Sequence, residues 1–147
     1  MISIQCESLE DMIEELKSFL LAHHQEVEDG AWQPDPDYDH YLECSKLGLM
    51  ICTTIRDCGK LIGYSIDWQL KSLHYKGKTA MINDLIYILP EYRHMGLMKK
   101  LFEYLHVKCK SSKISMHSIN LKVTNPCKQL MTELGYTNQE IVWMRRF

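Results

Sequence analysis

The sequence predicts a mixed α/β fold, a largely antiparallel central sheet with helices on both faces. Three observations predict it. Three strand-like runs follow one another with short links between Leu47 and Leu89, the pattern of an antiparallel meander. Helical periodicity flanks them, over Leu9–Ala22 and from Leu97 to about Lys110. Between meander and second helix, Ile82–Tyr104 (INDLIYILPEYRHMGLMKKLFEY) passes from strand through a tight basic loop into a helix. Ligands of open α/β sheets collect beyond such strand ends.

The elements follow in order. Ile2–Gln5 alternates and is short, as in an edge strand. Ser8 suits the N-cap of a helix over Leu9–Ala22, with Asp11 three residues on. Its apolar stripe is Leu9, Met12, Ile13, Leu16, Phe19 and Leu20. His23–Asp39 (HHQEVEDGAWQPDPDYD) is an acidic loop carrying Trp32 and Tyr38, and a short helix over Asp37–Lys46 follows. Its carboxylates would attract a cation. Leu47–Arg56 and Lys60–Leu70 read as a hairpin joined by Asp57-Cys58-Gly59. Polar Lys71–Lys78 leads to a third strand, Thr79–Leu89, which Pro90 ends because it cannot donate to a ladder. A strand over Ile114–Val123 comes next. Asn125 and Pro126 then suit the N-cap and first turn of a helix that Gly135 stops. The tail, Tyr136–Phe147, is expected to form a final strand or hairpin.

With 147 residues, 46% hydrophobic and 24% charged, the chain is expected to be a single domain over 1–147. A formal net charge of -2 argues against a general nucleic-acid binder. The opening ISIQCESLEDMIEEL has neither a basic n-region nor an apolar h-region, and no run has the length of a membrane span, so a cytoplasmic protein is expected. The six cysteines form no C-x-x-C pair and the histidines no H-x-x-x-H pair, which predicts reduced thiols and no metal site.

The loop after the third strand carries the most specific signal. A helix N-terminus offers unpaired N–H groups and the positive end of a dipole, which suit a phosphate. Arg93 adds charge, and Gly96 lets backbone approach a ligand.

The segment Ile88-Leu89-Pro90-Glu91-Tyr92-Arg93-His94-Met95-Gly96-Leu97-Met98 is similar to the signature of the GNAT superfamily of acetyl-CoA-dependent N-acetyltransferases. Asn125-Pro126 and Leu134-Gly135-Tyr136 resemble later elements of the same family, and the likeness spans about Leu47 to Tyr136. The acidic-aromatic insert also resembles a branch often carried by bacteriophages, which would place the protein in a host cytoplasm. The resemblance implies a sheet with a splay and a cosubstrate, acetyl-CoA, with no metal. It implies that Arg93, His94, Met95, Gly96, Leu97 and Met98 hold the pyrophosphate. Ile86, Tyr87 and Ile88 would pair backbone groups with the pantetheine arm, and Asn125 would touch that arm further along. Asp84 stands where many members carry a Glu that takes the amine's proton. A carboxylate at a strand end beside an apolar cleft is desolvated, which makes it more basic. His23, Glu26, Tyr64 and His74 fall where the acceptor would bind, with Trp68 beside them.

Two positions depart from the family pattern. Met98 replaces a small residue, which would narrow the loop. Met131 replaces a Tyr that protonates the leaving thiolate, so the role passes to Tyr136, His117 or water. The implied activity is acetyl transfer to an amine, either a small molecule such as a polyamine or an amine on a protein. The alternatives are a non-catalytic acyl-CoA-binding module and a protein-interaction module on the same fold. Many relatives dimerise, which leaves a homodimer open.

Overall fold

The computed structural model describes residues 1–27, 33–122 and 127–145. Trp32 and Asn125 lie outside the described residues. The chain runs β1 (Ile2–Glu7), α1 (Leu9–Val27), α2 (Tyr38–Lys46), β2 (Met50–Asp57), β3 (Lys60–Lys71), β4 (Thr79–Ile88), a 3-10 turn over Pro90–Met95, α3 (Leu97–Ser111), β5 (Met116–Ser118) and α4 (Lys128–Glu133). Among the described residues no helix is long and apolar enough to cross a membrane.

The five strands lie in the order β1-β2-β3-β4-β5. β2, β3 and β4 form the expected antiparallel meander, β1 pairs antiparallel with β2 at the edge, and β5 joins β4 in parallel. The β2–β3 hairpin closes through Cys58 and Gly59, both at positive φ (48° and 86°), as a two-residue turn matched to strand twist requires. One apolar cluster, with Met12, Leu16, Tyr64, Ile66 and Tyr87, lies under α1 and α2. The other, with Ile55, Met81, Ile88, Leu101, Phe102 and Met131, lies under α3 and α4. The sheet therefore has two covered faces, as the sequence predicts.

Several boundaries move. α1 continues to Val27 rather than ending at Ala22, because His23 prolongs the buried stripe of Leu9, Met12, Ile13 and Leu16. Ser8 caps it as expected, Oγ accepting from the Asp11 N–H at 3.2 Å. Asp37 caps α2, accepting from the His40 N–H at 3.0 Å. Leu47 and Gly48 end α2 instead of starting β2, with Gly48 at φ 70°. β5 is three residues long, much shorter than the expected Ile114–Val123. At α4 the Tyr136 N–H reaches the Met131 carbonyl (2.9 Å) and the Gly135 N–H that of Thr132 (3.0 Å), the Schellman closure that Gly135 permits. Residues 137–145 form no strand, and Trp143 is 90% exposed. Ile141, Val142 and Trp143 have strand propensity, and propensity without a ladder partner does not make a strand.

Arg56 fastens the sheet edge to α1. Its Nε and one terminal nitrogen donate to Glu7 at 2.7 Å each, and its terminal nitrogens reach Glu15 at 2.9 and 3.1 Å. The hydrogen bond from Arg56 holds the Glu7 carboxyl down at about 2 against burial, with Thr54 also donating.

Candidate active site

The site begins with an irregularity in β4. Ile66 pairs with Leu85 and Asp67 with Asn83, so Asp84 is an extra residue on its strand, a β-bulge. It switches the strand's phase. Asn83 lies with Asp67 on the α3 side and is buried, whereas Leu85 and Tyr87 pack toward α1. Asp84 is exposed and accepts a hydrogen bond from the Tyr41 hydroxyl of α2 at 3.0 Å. The desolvated setting expected for Asp84 is thus corrected, because the bulge turns it outward. Burial, followed by the Asp84 charge, pushes the Tyr41 hydroxyl well above its ordinary range, so Tyr41 stays a donor.

Beside this pair lies a cleft of about 280 Å³. Leu20, His23, His24 and Val27 of α1, Pro34–Pro36, Tyr41 and Leu85 line it. Asp35 contributes a carboxylate to a mostly apolar wall. His23 is 6% exposed, stacks on Tyr87 with ring centroids 4.7 Å apart, and has Nδ1 2.8 Å from the Tyr64 hydroxyl. Tyr64 is fully buried, so the expectation that it touches an acceptor is corrected: it holds His23. His74 sits in the β3–β4 connection, at the opposite end of β4 from the loop. It stands roughly 15 Å along the strand from Asp84, so the structure does not bring it to the other candidates. Trp68 packs against the α1-side core.

On the other flank β4 is open. The β4–β5 ladder pairs Ala80, Met81 and Ile82 and ends there. From Asn83 to Ile88 the described strands give that edge no partner. The side chains of Tyr87 and Ile88 are buried and Ile86 is half-buried, which leaves their backbone at this edge for an incoming extended chain.

The strand delivers the chain into the 3-10 turn, with His94 and Met95 exposed, and then to Gly96 at φ 68°. That left-handed residue starts α3, whose N-terminus carries no side-chain cap and no acidic residue in its first turn. Its first N–H groups have no acceptor within the helix. Leu97 is buried, so it offers the loop only its backbone. Met98 is half-buried against the α3-side core rather than laid across the loop, which removes the expected narrowing.

Arg93 is already engaged. Its Nε donates to the Ile88 carbonyl at 2.8 Å, and its terminal nitrogens grip Glu26 of α1 at 2.5 and 2.7 Å. Its guanidinium also lies over the Tyr87 ring, 5.3 Å from the centroid. The hydrogen bond from Arg93 lowers the Glu26 pKa. Glu26, expected near the acceptor, thus faces the loop after β4, and Arg93 is held by a carboxylate where a phosphate was expected.

Sequence reasoning missed Tyr41, Leu85 and the buried polar groups Asp67, Asn83 and Ser65. An aspartate inside the otherwise apolar run of β3 was the available sign of the last three. Tyr136 and His117, named for thiolate protonation, do meet: the Tyr136 oxygen is 2.6 Å from His117 Nδ1.

This geometry has known counterparts. The structure of a ribosomal-protein-alanine N-acetyltransferase from Brucella melitensis biovar Abortus 2308 is similar, with TM-score 0.81 and 21% identity, covering 100% of this chain and 98% of that one. A glucosamine-6-phosphate N-acetyltransferase from Arabidopsis thaliana gives 0.74 and 18%, with 100% and 99% covered. AAC(6')-Iy, in complex with a bisubstrate analog, CoA-S-monomethyl-acetylneamine, gives 0.71 and 16%, with 100% and 98% covered. At these identities the likeness establishes the fold. No curated protein matches the chain. The profile of the acetyltransferase (GNAT) family matches residues 9–136. With that match running from α1 through the open β4 edge to Tyr136, the chain belongs to the acetyltransferase (GNAT) family.

Proposed function

We propose that the protein transfers an acetyl group from acetyl-CoA to an amine by direct attack. The observation that carries this reading is the edge of β4, without a strand partner beyond Ile82 among the described residues, running from the Asp84 bulge to the N-terminus of α3, which has no side-chain cap. The pantetheine arm would add to that edge, and the α3 N–H groups of Gly96–Met98 would take the pyrophosphate. Asn125, outside the described residues, keeps its expected role on the arm. On the α1–α2 side the cleft would take the acceptor.

The chemistry follows from those positions. An amine is protonated at neutral pH and must lose that proton before it attacks. Asp84 accepts it, directly or through a water, while Tyr41 holds the carboxylate in place. A strand N–H holds the developing oxyanion. The amine nitrogen forms its bond to the acetyl carbon as the C–S bond breaks, the nitrogen gives up its second proton to solvent, and the thiolate takes a proton. An apolar cleft wall with Asp35 favours a cationic amine on an apolar body, either a small molecule or an amine on a protein. The likeness of the 23–39 insert to the bacteriophage branch, and with it the host cytoplasm, rests on sequence resemblance alone.

A second reading, a non-catalytic acyl-CoA binder, is favoured by Met131 in the place of the thiolate-protonating Tyr. Calorimetry with acetyl-CoA and a turnover screen over amines, aminoglycosides and peptides test both. Binding with turnover supports the enzyme, and binding without turnover on any acceptor supports the binder. No binding defeats both.

A further inference from the structure

The α3 face of the sheet carries a buried polar chain that the amine chemistry does not use. Asp67 is fully buried and accepts from Ser65 Oγ (2.7 Å) and Asn83 Nδ2 (3.0 Å). His117 leans toward it from β5, with Nε2 3.5 Å from Asp67 Oδ1 and a side chain 6% exposed. That distance brings the ring within the carboxylate's field, yet the alignment makes no hydrogen bond. Among the described residues His117 Nε2 is buried without a partner. Leaving such a group unsatisfied is costly, which marks it as a place where a ligand atom or a function belongs.

The other ring nitrogen starts a line outward. His117 Nδ1 is 2.6 Å from the Tyr136 hydroxyl, which is 2.9 Å from His106 Nε2. Tyr136 and His106 are half-buried, so the line leads from the interior of the sheet face toward the α3 surface. The neighbours set the proton order. With the Nε2 proton of His117 turned to the Asp67 side, Nδ1 accepts from Tyr136, and the Tyr136 oxygen accepts from His106 Nε2–H. Burial, followed by Cys109 and Asp67, pushes the Tyr136 pKa up, so the hydroxyl keeps its proton. Burial, followed by His117, lowers that of His106. The groups facing His117 are Asp67 from β3, His106 and the Phe102 ring from α3, and Tyr136 from the segment after α4. Lys110 and Glu103 act on His106 from α3 itself.

His117 also has a telling address. The pairs Met81–His117 and Ile82–Ser118 are the last before β4 and β5 part. On the reading above, on which this inference rests, the pantetheine arm lies along β4 beyond Ile82, and we take its sulfur end to enter at that parting, beside the Nε2 edge of His117. The geometry points to His117 as the proton donor to the departing thiolate, with Tyr136 and His106 resupplying it. As the C–S bond breaks, His117 Nε2–H passes to sulfur, the Tyr136 proton moves to His117 Nδ1, and the His106 Nε2 proton moves to Tyr136. His106 takes one proton from solvent at its other nitrogen. One proton enters and one leaves, and every member ends neutral. His117 touches the reacting sulfur, and Tyr136 and His106 are positioning residues.

Protein labelled with ¹⁵N at histidine tests this with two probes, coenzyme A and desulfo-coenzyme A, which lacks the sulfur. Coenzyme A is expected to shift the His117 Nε2 resonance, and desulfo-coenzyme A to leave it in place. Equal responses to both bound probes overturn the relay and leave the acetyl-CoA reading standing. If neither probe binds, that reading fails and the relay with it. Tyr136→Phe keeps the ring against Phe102 and removes the hydroxyl. It is expected to lower kcat about 10²-fold at an unchanged KM for acetyl-CoA and to alter the pH profile. A wild-type kcat across the pH range overturns the relay.

Discussion

At the scale of single residues, the site depends on which groups are already occupied. Among the described residues Asp84 is hydrogen-bonded by Tyr41 and is otherwise exposed, which leaves it accessible to a proton. Asp84→Asn keeps the size and the Tyr41 contact and removes the basicity. It is expected to lower kcat by about 10²-fold while the acetyl-CoA Kd stays put, measured by steady-state kinetics beside calorimetry. Arg93 is the reverse case, a cation committed to Glu26. An incoming phosphate must compete for it, so Glu26→Gln is expected to tighten coenzyme A several-fold, most visibly at low salt. The pH sign agrees. The Glu26 pKa is lowered in the fold, so its grip on Arg93 is full above the ordinary carboxylate value and is lost as pH falls through the lowered one. Coenzyme A affinity in wild type should accordingly gain on acidification relative to Glu26→Gln. Asp84 and Arg93 could be picked out as candidates because they stand near Pro90 and Gly96, which mark the end of β4 and the start of α3. Their partners could not, because Tyr41 and Glu26 arrive from α2 and α1, and no local spacing encodes which helix end reaches the loop.

At the scale of elements, β4 is the piece on which the others depend. Its C-terminal half must lie flat on β3, and Gly63 lets it. A Cβ there would stand 2.9 Å from the Tyr87 carbonyl oxygen and 3.1 Å from Ile88 Cγ1. Gly63→Ala is therefore expected to destabilise the fold by about 1–3 kcal/mol, read from urea unfolding, and to weaken acetyl-CoA binding because β4 must move. The sequence showed this strand and its stop at Pro90 but not its bulge. Leu85 to Leu89 is apolar at every position, so the alternation that would expose a change of phase is hidden. α1 outran its expected end for a related reason: His23 is a core residue of a polar type, and a stripe counted on aliphatic residues stops one turn short. The opposite error occurs in the tail, where Ile141, Val142, Trp143 and Met144 look like a strand and stand exposed.

At the scale of the whole molecule, the meander and its two covered faces were legible because periodicity and turn residues are local, whereas the clamp that Arg56 forms across β1, β2 and α1 is not. That clamp has a pH signature. The Glu7 pKa falls from 4.5 to about 2 on folding, so its contribution is complete above 4.5 and is lost as pH drops toward 2. Urea unfolding across that window should show stability falling in wild type and a flatter profile in Glu7→Gln. Loss of equal size in both would exclude the clamp. The bulge at Asp84 reaches furthest. One additional residue places the Asp84 carboxylate on one side of the sheet and Asn83, with its buried partners, on the other. On the function proposed above, the sheet would work as an insulating partition. A proton stripped from an amine would be discharged on one side and the proton owed to sulfur drawn from the other, with no shared hydrogen bond between the two currents. Deleting Asp84 would remove the carboxylate and the bulge together, yet ordinary alternation would still leave Asn83 and Leu85 on opposite faces.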